Sequence, residues 1–238
     1  MKRLMFGIAA GALVAGLGAA LYRPGRKTAS LAPVLSGVET RRASRNVLLY
    51  FIVPLWLAAG IADWLCHRRT KIAKTTGAKE SLIHLLMLGE VGVPVLAALF
   101  LEINPAVLLL MIAAFLVHEA TALWDVSYAV TRREVKPIEQ HVHSFLEMLP
   151  LMAVSFIAVL HWDQVRSMFR RRPRPDMRIR LKRDPLPTTY VVATLSGVVL
   201  LNLLPYLEEL WRDWRAYPGR LTPPRSPKMA DSRSLERV

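Results

Sequence analysis

Six apolar runs, each near the roughly 20 residues that a bilayer core demands, leave this chain few ways to fold. They cover residues 4–22, 46–65, 82–101, 105–124, 143–162 and 188–207. In hydrocarbon each backbone N–H and C=O must find a partner inside the protein, so runs of this kind become helices. The predicted fold class is therefore all-α: a polytopic integral membrane protein of about six transmembrane helices, with helices two to five as an antiparallel four-helix core. Trp64, Trp124, Trp162 and Trp211 stand at run ends, where an aromatic belt meets the headgroups. The chain carries 32 Lys and Arg against 18 Asp and Glu. In a soluble protein such a surplus points to nucleic acid. Here it lies between spanning runs, so membrane lipids are the expected partner and nucleic acid is not.

The organisation follows from these runs. Residues 1–22 read as an N-terminal anchor helix, or a signal peptide cleaved near Gly18-Ala19-Ala20. The anchor is preferred because the run is longer than a usual signal core. Residues 23–45 form a basic connector, and residues 46–162 the four-helix core. Residues 163–187 make a basic, Pro-rich loop whose nine cations, Arg170, Arg171 and Arg172 among them, are expected to rest on anionic headgroups. Residues 188–216 hold the sixth helix and its interfacial end, and 217–238 a Pro/Arg/Ser-rich tail expected to be disordered. Helix six offers only Asn202 as a polar intramembrane group, so helices one and six are placed at the periphery. Alternating spans leave 17 basic residues on one membrane face and 15 on the other, too even for the positive-inside rule to decide. Lys2 and Arg3 ahead of an uncleaved first helix turn the first face toward the cytoplasm, in what is expected to be a bacterial inner membrane.

Five of the six histidines, His67, His84, His118, His141 and His143, fall between residues 63 and 147. Asp63, Glu80, Glu90, Glu119, Asp125 and Glu147 accompany them. A charge in a spanning helix costs about 2.5–3.5 kcal/mol on the insertion scale, so such groups mark a functional site by default. Alternation brings the end of helix two, the start of three, the end of four and the start of five to one membrane face. Asp63/His67, Glu80/His84 and His143/Glu147 are i,i+4 pairs, which share a helical face. Pro137 suits the first turn of helix five and would draw Glu139 into the same stripe. Pro94 and Pro150 are expected to kink their helices. Cys66, the single cysteine, excludes an internal disulfide and is either a ligand or a small buried apolar residue.

Mixed imidazole and carboxylate ligands in a four-helix core can hold two metals, and that donor set suits iron, zinc or manganese. Depth predicts His84, His118 and His143 as direct ligands with Glu80, Glu119 and Glu147 as bridging or terminal carboxylates. Asp63, His67, Asp125 and His141 are then expected at the mouth. Two other arrangements remain open: a metal-free polar network or proton path, and a haem held by His84 and His118.

This placement resembles that of membrane fatty-acid hydroxylases and desaturases, which also gather histidines at one end of a helical bundle. Their HxxHH boxes are absent; the nearest element is His141-Val142-His143, and this chain is poorer in histidine and richer in acids. The resemblance implies a di-iron oxidoreductase, two irons per chain, acting on a lipid or other apolar substrate with a separate electron-donor protein. Ser81, His84 and Asp125 also resemble, loosely, the ceramidase-like membrane hydrolases, which implies zinc and an activated water. A non-enzymatic metal or proton carrier is the third reading. Most of these groups sit near one face rather than at the midplane where carriers bind.

Overall fold

The computed structural model describes residues 37–170 and 174–224. The described residues of the first compact unit, 37–40, are only the opening of α1, and all that follows concerns the second unit, from Arg41 onward. The elements in order are α1 (Gly37–Val47), a π-helical turn (Leu48–Ile52), α2 (Val53–Thr70), a 3-10 turn (Ile72–Lys74), α3 (Ala78–Phe100), α4 (Pro105–Ala129), α5 (Pro137–Leu160), α6 (Trp162–Met168), α7 (Thr188–Gly197), a second π-helical turn (Val198–Leu203) and α8 (Leu204–Ala216). No strand occurs among the described residues, so the fold is all-α. Among the described residues, five helices are long and apolar enough to cross a membrane: Gly37–Thr70, Ala78–Phe100, Pro105–Ala129, Pro137–Leu160 and Thr188–Ala216. The anchor at 1–22, most of the 23–45 connector and most of the 217–238 tail lie outside the described residues.

Proline shapes these spans differently from the expectation. α3 and α5 run through Pro94 and Pro150 as unbroken α-helix. The helical register instead widens before Pro54 and Pro205, the two prolines that follow the π-helical turns. A proline cannot donate to the carbonyl four residues back. Pro54 thus leaves Tyr50 without its usual donor and Pro205 does the same to Leu201, and a wider turn absorbs the mismatch. The Asn202 carboxamide supplies the second deficit: with its nitrogen assigned to the side that faces two carbonyl oxygens, the orientation that satisfies both, it donates to Leu201 (2.9 Å) and Leu57 (3.1 Å). That bond ties the sixth span to α2.

Local signals account for the helix ends. Lys71 adopts the left-handed conformation (φ 54°) that stops α2. Asn104 caps α4 by accepting from Val107 N at 3.0 Å, with Pro105 in the first turn, a pairing that pre-forms a helix start. Pro137 opens α5 as anticipated. Gly77 must be glycine, because its φ is +72° and a Cβ would meet Pro223 at 2.5 Å.

α3 and α4 form an antiparallel hairpin, α2 packs on α5, and α8 packs on α3 and α2. The apolar core joins Ile52, Trp56, Val107, Leu108, Met111 and Leu149. Leu116, Val159, Val192 and Leu200 face outward, exposed as lipid-facing residues are. At the far end from the histidines, residues 178–183 run along the α3–α4 turn. Glu102 N donates to Arg180 O (2.9 Å), Lys182 N to Phe100 O (2.8 Å) and Asn104 Nδ2 to Arg178 O (2.7 Å). Of the arginines expected on headgroups, Arg170 is exposed, while Arg171 and Arg172 lie outside the described residues.

The sixth span is not peripheral. Gly60 of α2 lets it approach so closely that a Cβ there would lie 2.6 Å from the Asn202 carboxamide. Gly60→Leu should therefore destabilise the detergent-solubilised protein by about 1–3 kcal/mol, the usual cost of overpacking. Adding Asn202→Ala should recover part of the loss. Thermal unfolding of both variants checks this; a Gly60→Leu protein of parental stability would mean that the helices do not touch there.

Candidate metal centre

The helices extend beyond the apolar runs that announce them, and this decides which groups are buried. α2 continues to Thr70, α4 to Ala129 and α8 to Ala216, while α5 already starts at Pro137. Segments 71–77, 130–136 and 217–223 then close the face. Tyr128 donates to Thr76 O at 2.7 Å, and Lys79 N to Leu221 O at 2.9 Å. Groups expected at a watery mouth consequently lie inside: Asp63 and Asp125 are 1% exposed and His67 is 0%.

At the centre, the imidazoles of His67 and His84 stack with centroids 4.4 Å apart and planes 10° from parallel. One carboxylate holds both. Glu209 Oε2 lies 3.1 Å from His67 Nδ1, and Glu209 Oε1 lies 2.9 Å from His84 Nδ1. An ionised carboxylate only accepts hydrogen bonds, so each Nδ1–H donates and each Nε2 is left facing the other way. His67 Nε2 is 3.4 Å from both Asp63 Oδ1 and Glu139 Oε1. His84 Nε2 is 3.5 Å from Asp125 Oδ2. His143 Nε2 reaches Asp63 Oδ1 at 3.0 Å, and Tyr206 donates to Asp63 Oδ2 at 3.1 Å. Yet His67 Nε2, His84 Nε2, Asp63 Oδ1 and Asp125 Oδ1 have no aligned hydrogen-bond partner although all are buried.

Two separate sets of possible ligands result, His67/Glu139/His143 and Glu80/His84/Asp125, and a third, Asp63/His67/His84, straddles them. Within each set the ligand atoms lie within 4.8 Å of one another. Behind both sets stands Arg133, 6% exposed. Its guanidinium bonds Glu80 on one side and Glu139 on the other. Burial works against that charge, but the hydrogen bonds it donates to Glu139 and Glu80 outweigh it and raise the pKa of the guanidinium. Beside the centre, Asp213 accepts from Ser81 at 2.8 Å and lies 3.5 Å from Arg212 Nε.

The other residues singled out in the sequence fall elsewhere. His118, 4% exposed, belongs to none of the three sets. Its Nδ1 is 3.7 Å from Glu90 Oε2, and Thr121 donates to Glu90 Oε1 at 2.8 Å. Glu119 and Glu147 are half-buried. His141 is exposed and meets Phe145 edge-on at 5.2 Å. Cys66 is buried outside the sets. The sequence reading missed Glu209, Asp213, Tyr206 and Arg133. A signal existed for two of them: Glu209 and Asp213 are an i,i+4 pair at the end of the sixth span, on the face that alternation assigns to the site. Arg133 had no local signal, since its partners are 53 and 6 residues away.

No family model, curated protein or solved structure matches the chain.

Removing one partner of a buried ion pair strands the other charge, at a cost of about 3–5 kcal/mol. Arg133→Met should lower stability by that order, measured by unfolding in detergent. Glu80→Gln with Glu139→Gln on the same background should restore a substantial part. Parental stability for Arg133→Met would show that the guanidinium does not bridge the two acids.

Proposed function

We propose that this multi-pass membrane protein is a metal-dependent enzyme, a di-iron oxidoreductase acting on a lipid or other apolar substrate. One observation carries the reading: two disjoint His/carboxylate sets whose buried imidazole Nε2 atoms face carboxylate oxygens without a hydrogen bond. For neutral rings this sets lone pair against lone pair, which is unfavourable in a dry interior, and a cation between them, whether a proton on Nε2 or a metal ion, removes the conflict. Charge supports two cations. Asp63, Glu80, Asp125, Glu139, Glu209 and Asp213 are buried, with Arg133 as the one buried Lys or Arg among the described residues, so the acids exceed that cation by five charges and two divalent ions would offset four of them. His67, Glu139 and His143 would hold one ion, Glu80, His84 and Asp125 the other, with Asp63 able to serve either.

Bound iron would supply dioxygen activation beside the acyl region, drawing electrons from a separate donor protein. The chain's own residues prepare the place for it. Glu209 orients both rings, as carboxylates behind metal-bound histidines do. Arg133 restrains Glu80 and Glu139, and the closed 71–77 and 130–136 segments exclude water. The start of the chain, with Lys2 and Arg3 before its first apolar run, favours a site on the cytoplasmic side of a bacterial inner membrane. A zinc hydrolase is the second reading, favoured by the buried Ser81–Asp213 bond one turn from His84.

Metal analysis of protein purified without chelators separates these readings. About two irons per chain is the expected result; one zinc would favour the hydrolase, and no metal would defeat both. His67→Ala and His84→Ala should each abolish stoichiometric binding, whereas Glu209→Gln should keep the fold and weaken affinity about 10–100-fold. Asp63→Asn should lose more metal than His118→Ala, the reverse of what depth along the sequence alone implies.

A further inference from the structure

At the end of the bundle opposite the metal sets, basic side chains gather where several spans begin or end. Arg41 of α1 donates from Nη2 to Leu160 O, the last carbonyl of α5, at 2.8 Å. Its guanidinium therefore stands beside His161, the next residue, which is partly buried. Arg41, Arg45, Leu48 and Ile52 follow the i, i+4, i+7, i+11 spacing of one helical stripe. Leu48 and Ile52 are buried in the core, so both arginines continue the face that this span turns inward. Lys182 is fixed to the end of α3 by two bonds. Its backbone N–H donates to Phe100 O at 2.8 Å, and its Nζ donates to Ala98 O. Ala98, Leu101 and Leu160 pack on one apolar core. Tyr190 of the last span holds the turn after α1, donating to Leu49 O at 2.9 Å.

The protein does not neutralise these cations. No ion pair among the described residues involves Arg41, Arg45 or Lys182. Two acids of this end are taken elsewhere, Glu102 by Arg183 at 3.4 Å and Asp176 by Arg180 at 2.9 Å. Burial pushes the His161 imidazole below its ordinary pKa, and the charges of Arg41 and Lys182 push it further. Burial lowers Lys182 as well, with Arg45 adding to the effect. Capping a helix C-terminus accounts for one bond of Arg41 and one of Lys182. It does not account for Arg45, or for grouping three cations without an acid. Arg41 and Arg45 are exposed, so most of their donors are open to a ligand.

Position decides what reaches them. The apolar runs 46–65, 143–162 and 188–207 all begin or end here, at headgroup depth. On the hydrocarbon side Val47, Phe51 and Val159 are exposed and leave a surface for acyl chains. We propose that Arg41, Arg45 and Lys182 form a site for the phosphodiester of one anionic phospholipid. A zwitterionic phospholipid brings the same phosphate together with an ammonium, which three cations repel. A free phosphate has no chains to lay on the apolar surface.

The test titrates full-length protein in maltoside micelles with dioleoyl phosphatidylglycerol or dioleoyl phosphatidylcholine and counts bound lipid by native mass spectrometry. Phosphatidylglycerol should bind at least about tenfold more tightly, as expected when several cations meet an anionic headgroup. Arg41→Gln with Lys182→Gln should remove most of that preference. Arg45→Gln breaks no helix-end bond, so it keeps the fold, and should reduce the preference by about fivefold. Arg170→Gln with Arg174→Gln, exposed cations on the same membrane face but outside the site, should leave it unchanged. Equal binding of the two lipids by the parent protein, or a preference that survives Arg45→Gln intact, would overturn the proposal. So would an equal loss in the Arg170/Arg174 variant, which would mark diffuse surface charge in place of a site. Millimolar inorganic phosphate should not displace phosphatidylglycerol; displacement would show a site for a soluble anion and overturn the assignment to lipid.

Discussion

The Glu209 carboxylate, shared by the Nδ1 atoms of His67 and His84, is the interaction on which the arrangement of the centre depends. It forces the two rings parallel, sets the same tautomer on both and turns both Nε2 atoms toward the acids of α2, α4 and α5. Without it, stacked imidazoles deep in a helical bundle would be free to rotate and to satisfy themselves on the nearest carboxylate. The spans around it serve that geometry. The π-helical turn before Pro205 and the Asn202 bond to the Leu57 carbonyl bring α8 against α2, and Gly60 gives it room.

Charge explains why so much of the structure is devoted to closure. Buried acids are costly in a bilayer unless compensated, and here they outnumber buried cations. Arg133 bonds two of them from a loop, offsetting one charge, and the imidazoles align with others. The loop that carries Arg133 also helps to shut the aqueous side, so electrostatic repair and exclusion of water are achieved by the same segment.

Much of the fold was legible in the sequence because a bilayer reduces the problem to one dimension. Run length and apolarity predict helices, and five of the six proposed spans appear, each covering most or all of its apolar run and several extending past it by up to nine residues, while the first, 4–22, lies outside the described residues. Alternation of direction brings Asp63, His67, Glu80, His84, Asp125 and His143 to one end of the bundle, and this much follows from counting spans. Asn104 and Pro137 mark helix starts by local chemistry that a reader of sequence can see. Prolines were harder to read: Pro94 and Pro150 leave their helices continuous, while Pro54 and Pro205 widen theirs, because the effect depends on which neighbours can satisfy the freed carbonyl.

What the sequence determined by itself is therefore the all-α membrane fold and the gathering of histidines and acids at one end, since both follow from length, hydropathy and parity. What only the tertiary structure decided is which of those groups touch. His118 and Glu147 lie along a neighbouring cavity, His141 faces outward, and the supposed mouth residues Asp63, His67 and Asp125 form the buried centre. Glu209 and Arg133 enter from a sixth span and a loop that periodicity assigns to the margin. The reason is physical: depth along a helix is a property of the segment, but burial depends on what packs beside and above it. That is set by long-range partners such as Arg133 with Glu80, which no local pattern encodes.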